Sequence, residues 1–141
     1  MKTTLFDRFP KKPKKNKIDY KLRLDKVFSE FIRKRDTKNG VFKCISCSQF
    51  KPYDKADCGH YFSRRHLSTR FDEDNCHAEC SYCNRFKADH MENYRENLIK
   101  KIGQQRFDLL KIKAGTTSSM NDFDFQVLIK HYKEKLKNGD T

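Results

Sequence analysis

The residues best suited to chemistry in this sequence are two pairs of cysteines, each with a two-residue spacer. One pair is Cys44 and Cys47, and the other is Cys80 and Cys83. A two-residue spacer lets both thiolates of a pair reach one tetrahedral ion at about 2.3 Å. Two such pairs complete a closed four-thiolate site, which is the usual geometry of structural zinc. We therefore predict that these four cysteines hold zinc.

The segment between the two pairs, residues 48–79, is longer than the roughly 15 to 20 residues of a simple zinc ribbon. It contains His60, Asn75 and His77. Hydrolysis of a phosphodiester needs an activated water, and a neutral imidazole with a pKa near its reference value of about 6.5 suits the base. His60 is the first candidate for that base.

A catalytic Mg²⁺ or Mn²⁺ ion would need oxygen ligands separate from the cysteine sulfurs. Asp57 is the carboxylate nearest to His60 in sequence, and Asn84 directly follows the second cysteine pair. These two are the predicted ligands. Asp57 and His60 would nevertheless fall on opposite faces of a regular strand. Either a bulge at Gly59 re-aims them, or His77 is the ligand instead.

This order of residues resembles the zinc-stapled HNH (ββα-metal) nucleases and, more closely, the NinG (Rap) recombination endonucleases of lambdoid phages. The resemblance runs from about Phe31 to Leu110 and rests on many positions at consistent spacing. Besides the cysteine pairs, these positions include the run from Asp57 to Tyr61, Arg70-Phe71, Asn75, His77, Asn84, Lys87, Tyr94-Arg95 and Ile102-Gly103-Gln104.

The resemblance implies a metal-dependent DNA endonuclease that acts on branched recombination intermediates such as D-loops and four-way junctions. It assigns the general base to His60. It makes Asn75 the middle residue of the HNH triad, which ties a loop to a strand so that His60 is correctly aimed. It also implies a small ββα-metal core, so that the expected fold class is α+β with flanking helices.

Two other functions fit part of the pattern. A non-catalytic zinc-binding adaptor for DNA or RNA would keep the four cysteines but would not need His60, Asn75 and Asn84 together. A restriction or homing nuclease of the HNH type would have the same site and a different substrate. The joint presence of the three polar residues favours catalysis over the adaptor.

The charge balance favours a nucleic-acid partner. The chain has 32 Lys and Arg against 19 Asp and Glu, a formal net charge of +13. Neutralising phosphates releases condensed counterions, so basic proteins of this kind commonly bind nucleic acid. Arginine suits phosphate well because it can bind through two N–H groups. The predicted DNA-contacting residues are Arg64, Arg65, Arg70, Arg85 and Lys87, with Lys11, Lys12, Lys14 and Lys15 near the start of the chain.

The elements that must position these residues follow from composition and periodicity. Residues 1–17 are predicted to be a disordered basic arm because lysines and prolines dominate them. Residues 18–141 are predicted to be a single HNH-like nuclease domain. Apolar residues at helical spacing predict helices, and the predicted spans are 19–36, about 81–87, 92–102, 104–114 and 122–137.

The remaining expectations concern location and partners. No stretch approaches the roughly 18 to 20 apolar residues of a membrane span, and the first residues lack the apolar core of a signal peptide. We therefore expect a cytoplasmic protein, in the host cell if a phage encodes it. Thiols stay reduced there, which favours metal binding over disulfides. The sequence leaves a homodimer open, because the apolar stripe of the last helix could be an interface or could be internal.

Overall fold

The N-terminal helix forms as predicted from the apolar spacing. The computed structural model describes residues 17–141, and in it helix α1 spans Tyr20–Arg35. Asp19 caps the helix by accepting a hydrogen bond from the backbone N–H of Leu22 at 2.9 Å. The buried stripe of α1 consists of Leu24, Phe28, Phe31 and Ile32.

The last helix, α6, covers much of that stripe. It spans Asp122–Asn138 and begins with a capping box between Asn121 and Asp124. Its buried residues Phe125 and Tyr132 join the core around α1, and the Tyr132 ring meets the Phe28 ring edge to face at 5.0 Å. The apolar stripe of α6 therefore packs inside the chain, against α1.

Five short strands form two antiparallel sheets between these helices. Strands β1 (Thr37–Lys38), β2 (Val41–Lys43) and β3 (Phe50–Pro52) make one sheet. Strands β4 (Ala56–His60) and β5 (Cys76–Cys80) make the other. The connection between β4 and β5 contains the one-turn helix α2 (Leu67–Arg70).

The β4–β5 pair is followed directly by a helix. Helix α3 (Ser81–Phe86) begins at the residue after β5. The two strands pair one-to-one, from Ala56 opposite Cys80 to His60 opposite Cys76. One face of the pair, with Cys58 and Cys76, packs towards α1.

Helix α4 (His90–Ile102) lies against the opposite face through Tyr94, and α5 (Gln104–Ala114) packs on α4. Gly103 joins them with a positive φ of 85°, which a glycine adopts without strain. The fully buried Tyr94 of α4 donates a hydrogen bond from its hydroxyl to the Gly59 carbonyl at 2.8 Å. This bond anchors α4 to the middle of β4.

The architecture agrees with the predicted α+β class, with small sheets and helices on either side. The five predicted helices are confirmed, and the bounds of α5 agree to the residue. The predicted basic arm lies outside the described residues except for Lys17. Within residues 17–141, no helix is both long and apolar enough to cross a membrane.

Candidate functional site

The four paired cysteines come together at one end of the β4–β5 pair. Their sulfur atoms all lie within 4.8 Å of one another, and Cys47 Sγ is 4.0 Å from Cys80 Sγ. Tetrahedral zinc with bonds of about 2.3 Å to sulfur requires ligands about this close. Cys44, Cys47, Cys80 and Cys83 could therefore bind a metal ion such as zinc.

The backbone around Cys44 is arranged to support a charged sulfur. Its Sγ accepts hydrogen bonds from the N–H groups of Cys80 at 3.3 Å and Cys47 at 3.5 Å. The turn that follows Cys44 is closed by a hydrogen bond from the Ser48 N–H to the Cys44 carbonyl at 2.9 Å, and Ser48 has a positive φ of 61°. Burial nevertheless raises the pKa of the Cys44 thiol to about 11. A bound cation at this sulfur would be needed for it to ionise at neutral pH.

A cleft of about 520 Å³ lies beside this cluster, between α1, β4 and α3. It brings together three of the predicted site residues, Asp57, His60 and Asn84. The other walls carry mainly polar side chains, among them Asp25, Ser29, Arg33, Ser63 and Arg64. The cleft is therefore a polar site with cations on its rim.

His60 is held in one orientation and in its neutral form. Its Nε2 lies 2.9 Å from the backbone carbonyl of Arg70. A carbonyl can only accept, so Nε2 carries the proton and Nδ1 is the basic nitrogen of the neutral ring. Burial lowers the pKa of His60 below its usual value and outweighs the backbone carbonyls of Arg70 and Cys58, which favour the charged ring. An imidazole in this state can accept a proton at neutral pH.

Asn75 ties the connection between the two strands to the start of β5. Its side chain is fully buried and donates from Nδ2 to the carbonyls of Phe62 at 2.9 Å and Thr69 at 3.0 Å. Its Oδ1 accepts from the Phe62 N–H at 2.7 Å. Thr69 precedes Arg70, whose carbonyl holds the His60 ring. Asn75 is thus placed to position His60 through the backbone.

Asp57 and Asn84 meet at the edge of the cleft. Asn84 Nδ2 donates to Asp57 Oδ2 at 2.9 Å, and Arg85 donates to both carboxylate oxygens at 2.9 Å. Burial would raise the pKa of Asp57, but these hydrogen bonds, those from Arg85 above all, hold it below its usual range. The carboxylate is therefore charged at neutral pH and has the Arg85 guanidinium beside it.

Strand β4 brings Asp57 and His60 to the same cleft without a bulge. The pairing with β5 is regular through Gly59, so the bulge that would have re-aimed the two residues is absent. In the two-stranded sheet β4 has no strand on its other side, and the cleft runs along that free edge. Side chains from both faces of the strand can reach it there.

His77, the predicted rival ligand, lies away from the cleft. It pairs with Gly59 on the opposite face of the sheet and is only 2% exposed. Its ring lies 6.3 Å from the Tyr94 ring, and its Nδ1 has no hydrogen-bond partner within residues 17–141. Of the two alternatives left open by the sequence, only Asp57 lines the cleft.

The residues predicted to contact DNA differ in their exposure and in whether a carboxylate already pairs with them. Arg64 and Arg65 are exposed, whereas Lys87 is half-buried. Arg70 is paired instead with Asp25 of α1, at 2.6 and 2.9 Å, and its side chain is only 15% exposed. Its guanidinium is therefore engaged within the fold. Of the other predicted contacts, Arg85 pairs with Asp57, and Lys11, Lys12, Lys14 and Lys15 lie outside the described residues.

Comparison with known proteins decides the family. The family model described as "Bacteriophage Lambda NinG protein" matches residues 4–141. The chain belongs to this family. No solved structure matches it.

The NinG relatives are proteins of lambdoid phages. The chain is 39% identical over 79 residues to "Protein ninG" of Escherichia phage 933W and 38% identical over 79 residues to that of Escherichia phage lambda. Each match covers 55% of this chain and 37% of the relative. The protein of Enterobacteria phage H19B is 32% identical over 108 residues, covering 65% of this chain and 52% of the relative. The chain thus spans about a third to a half of these NinG relatives.

Two contributors to the site of this NinG chain were missed from the sequence. Asp25 anchors Arg70, and through it the carbonyl that holds His60. Glu79 accepts a hydrogen bond from Ser46 Oγ at 2.5 Å, which fastens the first cysteine pair to β5. Both contacts join residues far apart in sequence. No local pattern signals them.

Burial of His77 in the NinG fold predicts an acid-dependent loss of stability. Burial lowers the pKa of its imidazole to about 3, whereas an unfolded histidine takes up a proton near pH 6.5. Between these values the unfolded state binds more protons, so stability falls as the pH drops. We expect wild type to lose about 2 kcal/mol more than His77→Leu between pH 7 and pH 5, measured by urea unfolding.

Other effects of acid, such as protonation of thiolates, occur in both wild type and His77→Leu and therefore cancel in the comparison. His131→Leu on the exposed surface of α6 serves as the matched control, because its ring stays in water in either state. Equal losses in wild type and His77→Leu would contradict the expected effect of burial.

Proposed function

We propose that this chain is a metal-dependent DNA endonuclease of the HNH-like (ββα-metal) type that acts on branched recombination intermediates, such as D-loops and four-way junctions. The strands β4 and β5 with helix α3 are its ββα unit. The observation that carries the proposal is the shared cleft, in which the oriented, neutral His60 lies near Asp57 and Asn84.

In the proposed reaction His60 is the general base. Its Nδ1 accepts a proton from the water that attacks the phosphate, while the bond from Nε2 to the Arg70 carbonyl keeps the ring in place. Asn75 is a positioning residue, because it ties Thr69 to Phe62 and so fixes the segment that carries this carbonyl. A positioned base of this kind contributes about 10²- to 10⁴-fold to a rate.

Asp57 and Asn84 would hold the catalytic Mg²⁺ or Mn²⁺. The residues fit such an ion, because a charged carboxylate and an amide oxygen are ligands that hard cations prefer. When bound, the ion supplies Lewis-acid stabilisation of the charge that develops on the phosphate. Arg85 must release Asp57 for this, which leaves its guanidinium next to the cleft and free to contact a phosphate.

The four cysteines would hold structural zinc in this proposal. They fit zinc because their sulfurs converge and because N–H groups already point at Cys44 Sγ. The exposed Arg64 and Arg65, with the lysines of residues 1–17, would follow the DNA backbone. Contacts to phosphate do not read sequence, which agrees with a substrate recognised by its shape.

One observation favours a second candidate, a zinc-binding nucleic-acid adaptor without catalysis. Both oxygens of Asp57 are already engaged by Arg85 and Asn84, as they would be in a site that needs no ion. In the adaptor, this pairing would be permanent. In the nuclease, it gives way to the divalent cation.

A cleavage assay separates the two candidates. The zinc-loaded chain is incubated with a four-way junction, a D-loop and a linear duplex, in Mg²⁺, in Mn²⁺ or in EDTA. We expect cutting of the branched substrates with a divalent ion, slower cutting of the linear duplex, and none in EDTA. Zinc content measured after the EDTA step, and recovery of cutting when Mg²⁺ is restored, show that the structural site stayed intact. Tight binding without cutting in any ion would instead support the adaptor.

A further inference from the structure

Two cysteines outside the four-cysteine cluster lie beside the proposed base. Cys58 and His60 are on β4 and Cys76 is on β5, and all three side chains share one face of the strand pair. Their ligand atoms lie within 4.8 Å of one another. The structure thus brings two sulfurs and one nitrogen towards a single point.

This set of atoms suits a thiophilic ion such as Zn²⁺. Bonds of about 2.3 Å to sulfur and 2.0 Å to nitrogen put tetrahedral ligands about 3.5 to 3.8 Å apart. The three atoms reach that spacing through small side-chain movements on two paired strands. The Arg70 carbonyl oxygen lies 2.9 Å from His60 Nε2 and 3.7 Å from Cys76 Sγ. It, or water from the cleft, can provide a fourth ligand.

An ion can reach this point from solvent. Cys58 and His60 both line the cleft, whereas Cys76 is fully buried beneath them. The site is therefore open to solvent on one side and closed on the side of Cys76. Metal sites with three protein ligands and one exchangeable position have this arrangement. With one protein ligand fewer than the four-cysteine cluster, it would bind zinc more weakly.

We propose that Cys58, His60 and Cys76 form a second, weaker zinc site that removes the catalytic base when it is filled. Zinc binding releases the two thiol protons to solvent. If the ion binds His60 through Nδ1, it occupies the basic nitrogen directly. If it binds through Nε2, the ring proton moves to Nδ1 and the bond to the Arg70 carbonyl is lost. Either way His60 can no longer accept a proton from water.

The metal site rests on its own geometry, whereas its inhibitory effect rests on the proposed nuclease function. The test therefore has two arms. In the first, Zn²⁺ is titrated into DNA-free protein that already holds one zinc per chain, and binding is measured by calorimetry. We expect wild type to bind a second equivalent. Loss of a ligand in Cys58→Ala should weaken that second binding by more than the roughly 10- to 100-fold that loss of a supporting outer-shell partner costs, while the first zinc stays.

In the second arm, Zn²⁺ is added to the Mg²⁺-dependent cleavage reaction, and each protein is compared with its own rate without added zinc. Wild type should be inhibited at the zinc concentration that fills the second site, and Cys58→Ala should resist that concentration. His66→Ala, an exposed histidine near the cleft, is the matched control and should behave as wild type in both arms.

The outcomes distinguish the two proposals. A single zinc equivalent in wild type, or unchanged second binding in Cys58→Ala, would overturn the second site. Equal inhibition of wild type and Cys58→Ala would overturn the proposal that zinc at this site blocks the catalytic base. If wild type binds the second zinc through Cys58 but cuts no DNA, the site stands and the proposed nuclease function fails.

Discussion

His60→Ala should abolish DNA cleavage and leave zinc content and DNA affinity unchanged. The ring is the one neutral imidazole among residues 17–141 that is both oriented by a backbone carbonyl and open to the cleft. Loss of a general base costs about 10²- to 10⁴-fold in rate, and no other histidine lines this cleft. Single-turnover cleavage of a four-way junction with saturating Mg²⁺ measures the effect.

The control for this variant is His66→Ala. His66 is exposed and lies a few residues away in the connection between β4 and β5, so His66→Ala should cut at the wild-type rate. Free imidazole added to His60→Ala should restore part of the activity, because the cleft stays open to solvent, and should do nothing for His66→Ala. Wild-type cutting by His60→Ala would rule out this residue as the base.

Cys80→Ser should lose zinc and cooperative folding together. Cys80 ends β5, its sulfur belongs to the four-cysteine cluster, and its N–H supports Cys44 Sγ. Structural zinc contributes about 10 to 16 kcal/mol in small zinc-binding peptides. That is as large as the whole stability of a typical domain, about 5 to 15 kcal/mol. Zinc per chain and urea unfolding measure the two losses.

Cys58→Ser is the matched control, because it removes a cysteine from the neighbouring strand without touching the four-cysteine cluster. At one zinc per chain it should keep both the metal and the unfolding transition of wild type. A folded Cys80→Ser chain that still holds its first zinc tightly would contradict the assignment of the structural site.

Local patterns were enough to predict the elements and the cysteine cluster. The apolar stripe with Leu24, Phe28 and Ile32 repeats at the period of a helix, and α1 buries that stripe. The spacing of Cys44 with Cys47 needs only a tight turn to bring both sulfurs to one ion. Features of this kind depend on neighbours in sequence, so the sequence alone can predict them.

Tertiary pairing of charges was not predictable in the same way. Arg70 was predicted to contact DNA, but it is held by Asp25, a residue of α1 that no motif singles out. Arg85 likewise pairs with Asp57. A basic residue is free for phosphate only if no carboxylate of the fold reaches it first, and that depends on packing between distant elements.

The structural role of Gly59 differs from the one that the sequence offered. A bulge at Gly59 was one of two alternatives open in the sequence, whereas the strand is regular there. The reason for glycine is space, since a Cβ atom at this position would lie 2.9 Å from the Glu79 Cβ atom. The Glu79 side chain lies over Gly59 and leaves no room for a second side chain there. The sequence can therefore show that a glycine matters at this position. The physical reason for the glycine follows only from the side chains of the partner strand.

The pairing of Asp25 with Arg70 has a consequence for anyone who wishes to transplant this site. The Arg70 carbonyl accepts from His60 and the Arg70 side chain is held by Asp25, so a helix that precedes every cysteine supports the segment that orients the imidazole. A graft limited to the cysteine-bounded stretch would keep Asn75 but would leave Arg70 without its carboxylate partner. A transplant that keeps both supports must begin at α1.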